Sequence, residues 1–272
     1  METIRTEVKI VTPEYALELL KINTRNRTMS KPTVLFYVEQ MKRGVWKFNG
    51  EPIIIGEGNV LLDGQHRLAA IVKSGLAQKC IITYGIDPST FDTIDTGKIR
   101  SSGDMFSISG IINAKAISSI ISSYFVFKTK TVTLDNYSHN IKLSKTEILN
   151  KYYELPEFWQ EIFKQAARYN DKLKLLKISF IGGLMSFLIL EKKHDKQKVM
   201  SFFNQLFYDT NIENEVIPLL RDKLLKDLIG QYKMTNKLRM AFVVKAWNYY
   251  IQGKEVKMLT FNVDKEILPE FI

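Results

Sequence analysis

Cysteine is nearly absent: Cys80 stands alone among 272 residues. A disulfide framework and a cysteine-based zinc site within one chain are thereby excluded. The three histidines, His66, His139 and His194, lie far apart in sequence and offer no paired metal motif. No run of 18 apolar residues occurs, which argues against a membrane span. The opening stretch METIRTEVKIVTPE is charged and has no apolar signal core, so the expectation is a protein that stays in the cytoplasm. Internal repeats and low-complexity linkers are missing too.

What is present is the composition of a globular protein, 45% hydrophobic, 25% charged and 11% aromatic, with enough chain for a full core. The formal net charge is +10. That suits a polyanionic partner such as DNA, or a nucleotide. A general bias of the coding sequence towards lysine accounts for it equally well. The excess is spread out: residues 1–140 hold 17 basic and 13 acidic side chains, and residues 141–272 hold 22 and 16. No tail carries it.

Thr12-Pro13 predicts a helix start, and Ser30 with Pro32 predicts a second, ending near Gly44. Residues 52–55 (PIII) and 59–62 (NVLL) read as short strands around a Gly56-Glu57-Gly58 turn. A helix from Gln65 to Gly75 and a strand over 79–85 complete a small α/β unit. Later patterns are helical: 114–127, 144–153, 156–169, 172–192, 196–208, 213–228 and 235–251. Residues 129–140 read as a polar loop or short β excursion, and 256–261 (VKMLTF) as a closing β-like segment. The predicted fold is α/β in an N-terminal domain, residues 1–107, followed by a mainly α-helical domain, residues 108–272.

One stretch carries chemistry, VLLDGQHRLAAIVKSG at 60–75. Gly64 allows a sharp turn from strand to helix and a close approach of ligand to main chain. The first turn of a helix has N–H groups without partners and a partial positive charge, which favours phosphate. Arg67 offers a fork of donors suited to phosphate oxygens, and His66 can donate or move a proton. Asp63 is placed to hold a metal ion or to orient His66 or Arg67. Leu68, Ala69, Ile71 and Val72 are expected to anchor the helix, leaving Gln65, His66 and Arg67 at its open end. The alternative is an ordinary polar helix start with Arg67 paired to a carboxylate.

The literal Asp63-Gly64-Gln65-His66-Arg67 resembles the signature of DGQHR-domain proteins and, more broadly, the core motif of the ParB/sulfiredoxin superfamily. MKRGVWKFNGEPIII (41–55), IDTGKIRSSGDMF (94–106) and KAWNYYIQGKEVKMLTF (245–261) are similar to ParB-like proteins of phages and prophages. The resemblance implies a ParB/sulfiredoxin-like fold over about residues 1–107, a nucleoside triphosphate (ATP or CTP) with Mg²⁺ as ligands, and a bacterial host cell as the setting. It implies phosphate held by Gly64, Gln65, His66 and Arg67, with catalytic roles for His66 and Asp63 in slow hydrolysis or nuclease chemistry. Gln65 stands where sulfiredoxin has its catalytic cysteine, which argues against sulfinic acid reduction. The polar clamp motif of ParB is not found. Free-serine kinases of this fold have a histidine at the Gln65 position, which weakens a small-molecule kinase reading. A non-enzymatic DNA-binding repressor, or an inhibitor of a host defence protein, is the main rival. A homo-oligomer is compatible with either.

Secondary candidates surround the motif. In IDTGKIRSSGD, Arg100 is a second phosphate contact and Asp95 or Asp104 a metal ligand, unless Asp104 caps the next helix. Arg25 and Arg27 either close over a ligand or favour the preceding helix C-terminus. LRDKLLKDLIGQYKMTNKLR (220–239) is basic enough to follow a phosphate backbone, although Asp222 and Asp227 interleave with its lysines. Trp247, Tyr249 and Tyr250 read as core.

Overall fold

The computed structural model describes residues 3–24, 26, 28–93, 101–129, 143–210 and 212–272, without the side chains of 91–93. They divide into two compact units, Met1–Ile99 and Arg100–Ile272. The protein is mixed α/β, with all its described strands in the first unit. The helix Ser102–Ile108 belongs to the second unit.

In the first unit the strands are β1 (Arg5–Val11), β2 (Pro52–Gly56), β3 (Val60–Asp63) and β4 (Gln78–Ile86), and the helices α1 (Pro13–Lys21), α2 (Lys31–Lys42) and α3 (Gln65–Ser74). The sheet order is β1-β4-β2-β3. β1 and β3 run antiparallel to their neighbours, and β2 runs parallel to β4. The caps are those the sequence predicts: Thr12 and Ser30 accept from the main-chain N–H groups of Tyr15 and Thr33, each with a proline in the first turn. The β2–β3 turn lies over Glu57, Gly58 and Asn59 rather than starting at Gly56, which is the last residue of β2. Ile53, Ile55, Leu61, Cys80 and Ile82 from the sheet form one core with Ala16, Leu19, Val34, Val38, Met41, Leu68, Ala70 and Ile71 from the helices. β1 was not expected. Six of its seven residues are exposed, so it carries almost no buried apolar pattern.

The second unit is helical. It runs through α4 (Ser102–Ile108), α5 (Ala114–Thr129), α6 (Lys145–Glu154), α7 (Pro156–Lys172), α8 (Ile178–Leu190), α9 (Lys196–Tyr208), α10 (Val216–Leu228) and α11 (Asn236–Gln252). α8 is apolar nearly all round and buries every residue from Ile181 to Leu188, as a central helix must. It meets α5 closely: a β-carbon at Gly182 would lie 2.8 Å from Ile120, and one at Gly183 would lie 2.6 Å from Ser123. Trp159, Tyr169, Phe202, Phe203, Phe207 and Trp247 fill the surrounding core. The helix expected over 172–192 starts only at Ile178. α7 ends at Lys172, Leu173 is extended, and Asn170 Nδ2 donates to the Leu176 carbonyl at 2.9 Å, which fixes the turn. Residues 256–261 form no strand. They run as irregular chain anchored by buried Leu259 and by a bond from Lys245 Nζ to the Thr260 carbonyl.

Candidate functional site

The DGQHR stretch sits where β3 passes into α3. Gly64 is the N-cap of α3 with φ 102°, a left-handed conformation that L side chains rarely adopt. Space forbids a side chain as well, since a β-carbon there would lie 3.0 Å from Ile53 Cγ1. Gly64 has no side chain with which to cap the helix, and the first turn of α3 contains no acidic residue. Gly64 thus gives α3 no counterpart of the side-chain caps that Thr12 and Ser30 give α1 and α2.

The polar side chains of the motif do not point together into solvent, as expected; they hold the unit together. Gln65 is 4% exposed, and its Oε1 accepts from Asn23 Nδ2 at 3.1 Å. His66 Nε2 lies 3.0 Å from the main-chain N–H of Ser30. An amide N–H can only donate, so Nε2 accepts, and a neutral ring carries its proton on Nδ1. A bond from His66 to a phosphate oxygen would have to come from Nδ1. Arg67 reaches the start of β2, where its guanidinium donates to the carbonyls of Glu51 (2.5 Å) and Pro52 (2.6 Å), and it pairs with Asp63 at 3.2 Å. This is the carboxylate pairing that the sequence left open. Arg67 also influences Cys80: burial pushes the thiol pKa up, while the guanidinium pulls it down. Ala70, rather than Ala69, is the alanine fully buried beneath α3.

The segment between α1 and α2 completes the site, and its role was not read from the sequence. Asn26 Nδ2 bonds to Asn23 Oδ1 and to the Leu61 carbonyl, both at 2.7 Å, and Leu61 N–H donates to the Ile22 carbonyl at 3.0 Å. Asn23, Asn26 and Ser30 thus lace this loop to β3 and α3. The asparagines of NTRNR carry that signal, beside arginines whose charge suggests a ligand contact. Arg25, Arg27, Asp95 and Arg100 lie outside the described residues.

Ser101 caps α4, its hydroxyl accepting from the Asp104 N–H, and Asp104 closes the box from the third position of the helix, accepting from the Ser101 N–H at 2.6 Å and hydroxyl at 2.7 Å. Among the described residues no group of three His, Cys, Asp or Glu side chains gathers as for a metal ion. Of the proposed metal ligands that are described, Asp63 is held by Arg67 and Asp104 by Ser101.

The basic stretch 220–239 is not one helix, because α10 ends at Leu228 and α11 begins at Asn236. Lys226 pairs with Asp222 at 2.7 Å, and Arg239 grips Asp227 at 2.5 Å. Burial raises the Asp227 carboxyl pKa, but the Met234 N–H and Arg239 outweigh it and hold the group below its usual range. Trp247 and Tyr250 are buried in the core. No described helix is long and apolar enough to cross a membrane. Comparison with family models, with curated proteins and with solved structures finds no match.

Proposed function

We propose that the first unit is a ParB/sulfiredoxin-like domain that binds the phosphates of a nucleoside triphosphate at the start of α3. The observation that carries this reading is the strand, left-handed glycine and helix junction at Asp63-Gly64-Gln65, whose first helical turn has no side-chain cap and no acidic residue. Such a turn attracts an anion through its N–H groups and the helix dipole. The DGQHR resemblance supports the same ligand. In this reading the main chain of Gly64, Gln65 and His66 contacts phosphate, while Arg67 adds positive charge from behind and keeps β2 and α3 in place. Magnesium, where it takes part, comes on the phosphates of the nucleotide. The engaged state of Asp63, Gln65 and His66 Nε2 favours binding over fast turnover.

The test is titration of isotope-labelled protein with ATP, CTP, GTP and inorganic phosphate, with and without Mg²⁺, read as amide chemical shifts. The expected result is saturable shifts centred on Gly64, Gln65, His66 and Arg67. Absence of any shift at millimolar ligand overturns the reading. A second reading then takes its place, favoured by the bonds from Gln65, His66 and Arg67 to neighbouring chain: the motif is a structural lock in a non-enzymatic DNA- or protein-binding protein. Phosphate release that is lost in His66→Gln would instead establish the catalytic role expected from the sequence.

A further inference from the structure

β1 is an edge strand: β4 occupies one side of it, and among the described residues no strand pairs with the other. An edge of this kind presents a row of main-chain donors and acceptors to any second strand. Its side chains alternate. Glu7 is opposite Ile82, and Ile53 is opposite the same residue, so Arg5, Glu7, Lys9 and Val11 share the helix-covered face. Thr6, Val8 and Ile10 share the other face with Ile81 and Thr83 of β4. Val8 is 56% exposed and Ile10 57%, a high fraction for β-branched apolar residues in a regular strand. β1 contains no proline and no register shift, two devices that commonly blunt an edge.

We propose that this edge pairs antiparallel with the same strand of a second copy of the chain, about a two-fold axis through Val8. The charges select that occupant and register. Centred on Val8, the pairing places Glu7 opposite Lys9 of the second copy, and Lys9 opposite Glu7, and it uses all seven residues from Arg5 to Val11. Centring on Glu7 would set Glu7 against itself, and centring on Lys9 would oppose two lysines. Centring on Thr6 restores an Arg5–Glu7 pair but keeps only three residues of β1. On the opposite face the Val8 register continues the apolar surface, with Val8 against Val8 and Ile10 against Thr6. Glu7 is already oriented on its face, since Tyr84 Oη donates to its Oε1 at 2.9 Å, and the Lys9 ammonium rests 4.0 Å from the Tyr15 ring centre. The four-stranded sheet becomes a continuous eight-stranded one.

The experiment is sedimentation equilibrium on the full chain from low to high micromolar concentration, with circular dichroism as a check on folding. Wild type is expected to show a monomer–dimer equilibrium. Glu7→Lys places lysines opposite each other at two positions and should raise the dissociation constant by roughly tenfold. The double variant Glu7→Lys with Lys9→Glu also lacks the Tyr84 acceptor but restores both ion pairs, so it should dimerise like wild type. Val8→Cys should cross-link to itself under mild oxidation, because directly opposed β-carbons lie about 5 Å apart, while native Cys80 is buried. A chain that is monomeric throughout overturns the proposal. So does a dimer that is indifferent to Glu7→Lys, or one that Val8→Cys fails to cross-link.

Discussion

The two units are held together by different means. In the helical unit the core is large and rich in aromatic rings, and the closest fit is geometric, with α8 lying against α5 at two adjacent glycines. In the first unit the aliphatic core is smaller, and hydrogen bonds decide how the loop between α1 and α2, the hairpin β2–β3 and α3 fit together. Packing tolerates exchange of one apolar side chain for another of like volume. A polar lattice does not, because each lost partner removes a directed bond, at a cost that grows with burial.

Variants can break or sharpen that contrast. The largest effect is expected from Trp159→Ala in α7, which removes a fully buried ring and the bond from its Nε1 to the Lys151 carbonyl. Chemical denaturation should show a loss of about 3–5 kcal/mol, confined to the helical unit in peptide-resolved hydrogen exchange. Arg67→Ala comes next, at about 1.5–3 kcal/mol, since it removes the charged donor that ties the carbonyls of Glu51 and Pro52 to α3. Sequence alone predicts that this variant folds undisturbed; the structure predicts faster exchange in β2 and α3. Asn23→Ala leaves Gln65 Oε1 without this donor and should cost about 1–2 kcal/mol, read as loosened amides in α3 with the helical unit unchanged. The smallest effect is in pH dependence. The lowered carboxyl of Asp227 means that its bonds to Met234 and Arg239 stabilise the fold above the ordinary aspartate range. That contribution should fade as pH falls through the lowered value, and Asp227→Asn should flatten this part of an acid-unfolding curve.

Much of the fold was legible because local rules act locally. Thr12 and Ser30 announce their helices, and Gly64 its turn, through capping and backbone freedom that need no distant partner. Gln65 was misread because only the fold brings Asn23 to it, 42 positions earlier in the chain. Arg67 looked like a free phosphate ligand for the same reason: Glu51 and Pro52 offer main-chain carbonyls, which leave no trace in side-chain pattern. β1 escaped notice although Glu7-Val8-Lys9-Ile10 alternates polar and apolar residues: the charges lie on the helix-covered face and Val8 and Ile10 on the open one, so no buried apolar run marks the strand. At 256–261 the apolar residues mark anchoring of irregular chain, a role that residue type does not separate from a strand.

The strand order has a consequence for synthesis on the ribosome. β1 (Arg5–Val11) is made well before its partner β4, which runs from Gln78 to Ile86. The hairpin β2–β3 and α3 can form from nearby residues as soon as they emerge, whereas β1 must wait until β4 has cleared the exit tunnel. During that interval the nascent chain carries an unpaired strand with Val8 and Ile10 on it, in a polysome where neighbouring chains bear the same strand at high local concentration. Closing the sheet is a long-range step. The rate at which residues 12–86 are translated therefore sets how long that strand stays open to the wrong neighbour.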